Sequence, residues 1–149
     1  MLHIHDDRSS VEIGQGTMIM PFAKLVTAEG GFIRIGSNCT IHSFDVLYGF
    51  SGGLQIGNNV RIGVNATFVT GNHRTEDPAL GPNEQGSSSL GIEIGDGCWI
   101  GAGAIILDGV RLAPKSIVGA GAVVTKSRQG RVCLVGVPAK PMLKQGYVS

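Results

Sequence analysis

Aliphatic side chains recur at every sixth position through the second half of the chain. The positions of this series are Ile94, Ile100, Ile106, Leu112, Val118 and Val124. The fifth place of each complete hexad holds a small or slim residue, namely Cys98, Ala104, Val110, Ser116 and Ala122. On an α-helix, residues six apart are spread over different faces, whereas on a strand they point to the same side. Because the run is too long for one strand, the period predicts a parallel β-helix with a turn in every hexad.

The same period extends toward the N-terminus in three further blocks of three hexads, which begin at Ile13, Ile35 and Ile56. The register slips by four residues after the first block and by three after the second, and 20 extra residues precede Ile94. If three hexads form one turn of a triangular coil, all three insertions leave the coil at the same corner. Loops gathered at one edge of a rigid scaffold often build a functional site.

We therefore predict a single all-β domain over residues 1–149, a parallel β-helix of about five coils. Residues 11–68 form its first coils, 69–93 an active-site loop, 94–126 its last coils, and 127–149 a C-terminal strand and a tail that closes the open end. The loop is polar, rich in Gly, Pro and Ser, and without a period. Loops of this length in compact domains are usually functional or disordered.

The loop contains one histidine, His73, between Asn72 and Arg74 and shortly before Glu76 and Asp77. A histidine in an exposed loop is most often simply solvated. His73, however, lies at the base of the long loop, just after the third block of hexads ends. Histidine is the side chain whose unperturbed pKa lies near neutral pH, so we select His73 as the candidate catalytic residue.

Composition narrows the class of protein. Charged residues make up 15% of the chain and the net charge is +1, which does not suggest a nucleic-acid-binding surface. No apolar run reaches the length of a membrane span, and the N-terminus lacks the apolar core of a signal peptide, so we expect a cytoplasmic protein. The three cysteines form no CxxC pair. Two of them, Cys39 and Cys98, occupy fifth places of hexads, where a small buried residue fits.

The hexads resemble those of a known family, the hexapeptide-repeat acyltransferases, which fold as a left-handed parallel β-helix and are typically homotrimers. Three motifs carry the resemblance: IGDGCWIG at 94–101, VGAGAVVTK at 118–126 and GVPAK at 136–140. Within the family the chain looks most like the sugar and polysaccharide O-acetyltransferases. In these a loop histidine precedes a Gly-rich segment and a Trp-Ile-Gly hexad, as His73 precedes Gly86 and Trp99 here. The left hand of the coil is implied by the resemblance alone.

The resemblance implies acetyl transfer from acetyl-CoA, without a metal, to a hydroxyl of a sugar or polysaccharide precursor, or alternatively to the amine of an amino sugar. A hydroxyl is a poor nucleophile at neutral pH, so a base must take its proton during attack on the thioester. His73 matches the family's base by position. Glu76, Asp77 or a backbone carbonyl would orient its imidazole, and a backbone N–H is as suitable as a side chain for stabilising the oxyanion.

The family's acetyl-CoA site lies in a groove between adjacent subunits, which implies a homotrimer. The matching positions in this chain are Ala102, Ala120, Thr125, Lys126 and Lys140. The alanines would offer backbone contacts and clearance, and the lysines would face phosphate groups.

The acceptor, a small molecule or an oligosaccharide, stays open. In the better-known sugar acetyltransferases an Asn contacts the acceptor and an Asp follows on the acceptor side. His42 and Gly49 stand at these two positions here. The candidate acceptor residues are His42, Asp45 and Tyr48. Asp45 stands in a fifth place of a hexad, where a buried carboxylate needs partners. It therefore either ties down His42 or a turn, or contacts substrate.

Two other classes of protein share this fold. A γ-type carbonic anhydrase needs three histidines around a metal, but only His42 and His73 lie in the predicted coil region, and His3 and His5 precede the repeat. A non-enzymatic solenoid would need neither a loop histidine nor the C-terminal motifs with lysine. Fold alone does not assign function, so the long loop is what favours an enzyme.

Overall fold

The chain winds into a triangular parallel β-helix. The computed structural model describes residues 1–142. Each complete coil contributes one short strand to each of three sheets, which we call face 1, face 2 and face 3 in the order in which the chain passes them. Five complete coils are present, with further strands at both ends. The predicted all-β class and β-helix architecture are confirmed, and a left-handed winding is consistent with them.

Face 1 consists of β2 (Ser10–Ile13), β5 (Phe32–Ile35), β8 (Leu54–Ile56), β13 (Ile92–Ile94) and β16 (Arg111–Leu112). Face 2 consists of β3 (Met18–Ile19), β6 (Thr40–Ile41), β9 (Arg61–Ile62), β14 (Trp99–Ile100), β17 (Ile117–Val118), β19 (Cys133–Val135) and β20 (Lys140–Pro141). Face 3 consists of β1 (Leu2–Ile4), β4 (Lys24–Thr27), β7 (Val46–Gly49), β10 (Thr67–Val69), β15 (Ile105–Leu107) and β18 (Val123–Val124). A separate hairpin pairs β11 (Asn72–His73) with β12 (Ser87–Ser88), and a 3₁₀ turn spans Pro82–Glu84.

The predicted six-residue register is confirmed on all three faces. On face 1, Ile35 pairs with Ile13 and with Ile56, and Ile94 pairs with Ile56 across the long insertion. The ladders on faces 2 and 3 likewise join the predicted aliphatic positions. Ile100, in the middle of the face 2 ladder, is fully buried. The three register slips therefore lie where the sequence predicts them.

Small residues occupy the inner sides of the corners, because a triangular cross-section leaves little room there. The buried fifth places of hexads are Ala23, Cys39, Asp45, Val60, Ala66, Cys98, Ala104, Val110, Ser116 and Ala122. Cys39 and Cys98 are buried free thiols, and burial raises the pKa of Cys98. A thiol that is buried and protonated serves packing rather than chemistry.

Strands at both ends extend the stack beyond the predicted repeat. β1 pairs with β4 on face 3, so His3, which the sequence places outside the repeat, belongs to a coil strand. At the other end, β19 continues face 2 parallel to β17, and β20 turns back antiparallel to β19. The tail predicted to close this end lies largely outside the described residues, because they stop at residue 142.

The corners of the coil differ in regularity. The corner between faces 2 and 3, which we call the 2–3 corner, is four residues long in every complete coil. The corner between face 3 and the next face 1, the 3–1 corner, ranges from three residues (108–110) to 22 residues (70–91). All three register slips lie at the 3–1 corner, as predicted. One edge of the molecule thus gathers its variable segments.

Candidate active site

His73 lies in the hairpin that leaves the 3–1 corner after β10. Its two strands pair antiparallel, with Asn72 opposite Ser88 and His73 opposite Ser87. The 3₁₀ turn Pro82–Glu84 lies in the connection between them. The long loop therefore has secondary structure of its own, and it presents His73 as an exposed residue.

A cleft of about 150 Å³ lies at the base of this hairpin. Its lining residues are Glu29, Phe50, Gly71, Asn72, His73, Ser87 and Ser88. Phe50 packs directly against the hairpin, because a Cβ atom on Gly71 would lie only 2.8 Å from the phenyl ring. The same ring stacks on Tyr48, with 5.7 Å between the ring centroids. The cleft thus combines an aromatic wall with an imidazole, serine hydroxyls and a carboxylate.

Side-chain hydrogen bonds fasten the hairpin to the coil at its base. The Ser89 hydroxyl donates to the carbonyl oxygen of Thr70, where the loop begins. Asp108, at the 3–1 corner of the next coil, accepts hydrogen bonds from Gly91 N (2.8 Å) and from Asn72 Nδ2 (3.3 Å). Asn72 precedes His73 directly, so the coil holds the chain on both sides of the loop.

The loop carboxylates predicted to orient His73 have other surroundings. Asp77 N donates a hydrogen bond to Gln85 Oε1 (2.9 Å), and Gln85 Nε2 donates to the Asp77 carbonyl oxygen (3.0 Å), so Asp77 closes the loop on itself. Among residues 1–142, neither Asp77 nor Glu76 forms a hydrogen bond with His73. The carboxylate that lines the His73 cleft is that of Glu29.

Glu29 is a residue that sequence reasoning missed. It lies at the 3–1 corner after β4, and its carboxylate oxygens accept a hydrogen bond from the Ser87 hydroxyl at 2.8 and 3.0 Å, across 58 residues of chain. The signal that could have found it is the first register slip, TAEGGF. All slips leave the coil at the corner that carries the His73 hairpin, so polar residues in them are neighbours of that hairpin.

A second concavity, of about 480 Å³, follows the 2–3 corner, and we call it the 2–3 groove. Its lining includes Ala102 and Ala120 on successive coils, together with His42 and the Trp99 indole. The Trp99 side chain is 57% exposed, although it lies next to the buried Ile100. The structure therefore brings together two predicted acetyl-CoA residues and one predicted acceptor residue.

The other predicted acetyl-CoA residues lie at the C-terminal end of the stack. Lys140, in β20, pairs with β19 on face 2, and Ala139 N donates a hydrogen bond to β18 on face 3. The GVPAK motif thus crosses the 2–3 corner beyond Ala120, in line with the groove. Thr125 and Lys126 instead follow β18 into the 3–1 corner. Face 3 separates them from the groove.

The three candidate acceptor residues are not brought to one place. His42 lies in the 2–3 groove, and Tyr48 lies on the outer side of face 3. Asp45 is fully buried inside the corner, where Oδ2 accepts from His42 N (2.7 Å) and Oδ1 from Ala66 N (2.8 Å). Burial, opposed by these hydrogen bonds, raises the pKa of Asp45 to about 6. These contacts favour the turn-tying role of Asp45.

His73 and the 2–3 groove lie at different corners of the chain, with face 3 between them. The remaining histidines, His3 and His5, lie near the first coil. In residues 1–142 no three His, Cys, Asp or Glu side chains are grouped so that they could hold a metal ion. The same part of the chain has no helix that is long and apolar enough to cross a membrane.

Part of the repeat matches a family model, and several acetyltransferases resemble the chain. Residues 91–126 match the family model described as bacterial transferase hexapeptide (six repeats). A galactoside O-acetyltransferase of Lactococcus lactis is 36% identical over 83 residues, which are 56% of this chain and 39% of the relative. A galactoside O-acetyltransferase of Escherichia coli is 30% identical over 128 residues, which are 86% of this chain and 61% of the relative.

A solved structure of a hexapeptide-repeat acetyltransferase also resembles this chain. A hexapeptide-repeat containing acetyltransferase from Vibrio cholerae, complexed with acetyl coenzyme A, superposes with a TM-score of 0.73 at 26% identity. The superposition covers 87% of this chain and 68% of that chain. The chain spans only part of the two galactoside O-acetyltransferases, 39% and 61% of their lengths.

Proposed function

We propose that this chain, a member of the hexapeptide-repeat transferase family, is an acetyl-CoA-dependent O-acetyltransferase that acetylates a hydroxyl of a sugar or polysaccharide precursor. His73 is the general base of the reaction. The similarity to galactoside O-acetyltransferases supports the hydroxyl acceptor. The acetyl coenzyme A bound in the Vibrio cholerae structure supports the acetyl donor.

The observation that carries the proposal is the position of His73 in the cleft at the base of the hairpin. Its imidazole shares this cleft with the hydroxyls of Ser87 and Ser88 and with the ring of Phe50. A mixed lining of a few polar groups and an aromatic ring suits an acceptor that carries hydroxyls on an apolar ring. Its volume of about 150 Å³ fits one ring of such an acceptor.

His73 accepts the hydroxyl proton as the acceptor oxygen attacks the carbonyl carbon of the thioester. Acetyl-CoA supplies the activated acetyl group. A C–O bond forms, the C–S bond breaks, and the imidazole returns its proton to the departing thiolate sulfur. A backbone N–H or a side chain donates a hydrogen bond to the carbonyl oxygen and stabilises the negative charge that develops on it.

Ala102 and Ala120 hold the pantetheine arm of acetyl-CoA in this proposal. Both are exposed in the 2–3 groove, where their small side chains leave the backbone open to contact. Lys140 lies at the end of the same corner and faces the phosphates. Thr125 and Lys126 contact the cofactor from the adjacent corner.

A homotrimer joins the two halves of the site. Because His73 and the 2–3 groove occupy different corners of one chain, a cyclic assembly lets the hairpin of one subunit meet the groove of the next. Sedimentation velocity should find a trimer as the active species. A stable monomer with full activity would contradict both the assembly and the shared site.

Substitution of His73 by alanine tests the proposed base. The acetyl-CoA thiol-release rate is measured with a panel of acceptor sugars. His73→Ala should lower turnover roughly 10²- to 10⁴-fold, which is the usual contribution of a positioned general base, while acetyl-CoA binding persists. The control is His5→Ala, which removes an exposed histidine near the first coil. If His73→Ala turns over at the wild-type rate, the proposal fails and His42 becomes the next candidate base.

A further inference from the structure

The hydrogen bond between Glu29 and Ser87 lies at the level of His73 in the hairpin. Ser87 stands directly opposite His73 in the two-residue ladder of β11 and β12. Ser89 and Asp108 fasten the base of the loop, and Asp108 also accepts from Asn72 Nδ2, on the residue before His73 (3.3 Å). Glu29 is the coil residue that holds the opposite strand, β12, at the level of His73.

A hairpin this short needs such an attachment. Two strands of two residues each, exposed along their length, are marginal in water without packing against another element. The backbone carbonyl of Ser87 is already bonded within the loop, because it accepts from Arg74 Nε at 3.2 Å. The Ser87 hydroxyl donates a hydrogen bond to the Glu29 carboxylate and so connects the hairpin to the coil.

Glu29 lies in a turn of the coil. Its φ is 58°, in the left-handed region, as it is at Phe22, Phe44 and Lys115 in other turns. The conformation therefore belongs to the turns of the coil and is not specific to Glu29. At this corner the side chain reaches the loop that follows β10, past the corner that follows β7.

We propose that Glu29 is a positioning residue, which sets the place of His73 by holding Ser87. This inference rests on the proposed function, in which His73 is the base. Both carboxylate oxygens of Glu29 accept a hydrogen bond from the Ser87 hydroxyl. The role of Glu29 in this inference is to hold the hairpin through Ser87.

A double-mutant cycle on Glu29 and Ser87 tests the hold. Glu29→Ala and Ser87→Ala should each lower kcat roughly 10- to 100-fold, because small displacements of a base are costly. The KM for acetyl-CoA should stay within about twofold, since the 2–3 groove lies at another corner. The double variant should be no slower than either single variant, because all three lose the same interaction. Glu12→Ala, which removes an exposed carboxylate from the first coil, is the control.

Glu29→Gln separates the hydrogen bond from the charge. Its amide oxygen can still accept from Ser87, so kcat should remain within about threefold of wild type. A kcat as low as that of Glu29→Ala would overturn the positioning role, because charge would then be what matters.

Hydrogen exchange of the peptide that spans residues 72–89 tests the hold without substrate. Exchange should be faster in Glu29→Ala and Ser87→Ala than in wild type, and unchanged in Glu29→Gln and Glu12→Ala. The melting temperature should stay within about 2 °C in all of them, since an exposed hydrogen bond adds little to global stability.

The outcomes distinguish this inference from the proposed function. Wild-type turnover in His73→Ala overturns the proposed function and the inference with it. A strongly impaired His73→Ala beside a fully active Glu29→Ala overturns the inference alone. Additive losses in the double variant, or unchanged exchange in Glu29→Ala, also overturn it.

Discussion

The 2–3 corner and the 3–1 corner are built from the same strands and yet behave differently. The 2–3 corner repeats a four-residue turn in every coil, with a small buried residue on its inner side at Ala104 and Ala122. The 3–1 corner changes length from coil to coil and carries the His73 hairpin. A constant corner stacks into a continuous groove, whereas a variable corner can project side chains that no other coil has.

The two corners are also held by different interactions. Apolar packing and the strand ladders fix the 2–3 corner, and its one buried charge, Asp45, is bonded to backbone amides. At the 3–1 corner, side chains such as Glu29, Ser89 and Asp108 bond the loop to the coil. The 2–3 corner suits an extended ligand that lies along it, and the 3–1 corner suits a reaction at a single position.

The largest expected effect comes from placing the same charge inside the coil, next to the 2–3 corner, and in the loop at the 3–1 corner. Ile100→Asp should prevent folding, because the residue is fully enclosed by coil neighbours. Leu80→Asp should leave the protein folded, since Leu80 is exposed in the loop at the 3–1 corner. The milder Ile100→Ala should cost roughly 2–5 kcal/mol.

Circular dichroism and urea unfolding of these three variants decide this prediction. A soluble Ile100→Asp protein that melts normally would mean that the hexad register is wrong.

Replacing the long loop by the shortest form of the 3–1 corner is the next test. Residues 70–92 are exchanged for Asp-Gly-Val, the sequence at 108–110, so that Ile94 follows Phe68 by six residues. The strands on either side already pair in register, so the coil should still fold. Acetyl transfer should fall at least as far as in His73→Ala, roughly 10²- to 10⁴-fold.

Calorimetric titration with acetyl-CoA shows whether this exchange spares the groove. Binding within about threefold of wild type is the expected result. Loss of the fold would show instead that the loop belongs to the scaffold.

Asp45 gives a pH dependence to the 2–3 corner. Burial raises the pKa of its carboxyl from 3.8 to about 6, so between these values the folded chain keeps a proton that the unfolded chain has lost. Stability should therefore be highest below pH 4 as far as this group is concerned, and fall as the pH rises through 6, by up to about 3 kcal/mol.

Asp45→Asn isolates this contribution. Urea unfolding of both proteins at pH 4.5 and pH 7 measures how the free energy of unfolding changes with pH. The slope of this free energy against pH should lose the contribution of Asp45 in the variant. An identical slope in the two proteins would mean that folding does not raise the pKa of Asp45.

The smallest expected effect concerns the lysines at the C-terminal end. Lys140→Ala and Lys126→Ala should each raise the KM for acetyl-CoA roughly two- to tenfold, with little change in kcat, because phosphate contacts act in ground state and transition state alike. Steady-state kinetics with Lys24→Ala as the control measures this. If only Lys140→Ala raises KM, the phosphates lie along the 2–3 corner alone.

The fold could be predicted almost completely from the sequence. Residues six apart on the strands point to the same side, and this period resumes after each insertion. Ile56 and Ile94 could therefore be aligned across the loop. The left-handed winding could not be read from this period, because both hands place residues six apart on one side. The strand β1 was missed since three residues are too few to display a period.

The candidate site could be predicted only in part. Ala102 and Ala120 belong to the repeat, and the structure brings them together in one groove. The register slips place Glu29 at the corner of the His73 hairpin, but its bond to Ser87 could not be predicted, because Ser87 is 58 residues away and neither residue obeys the period. Asp45 was interpreted from its residue type, whereas its environment depends on Ala66 in the next coil.

The bond from Glu29 to Ser87 also changes how this solenoid should unfold. In a stack of coils each unit contacts its neighbours only, and such arrays fray from their ends unit by unit. Here the corner after the first coil is bonded to the loop after the third, past the corner of the second. A tie that skips one unit couples the fraying of the N-terminal coils to the geometry of the hairpin. Loosening of that end would therefore be transmitted to His73 before the rest of the stack opens.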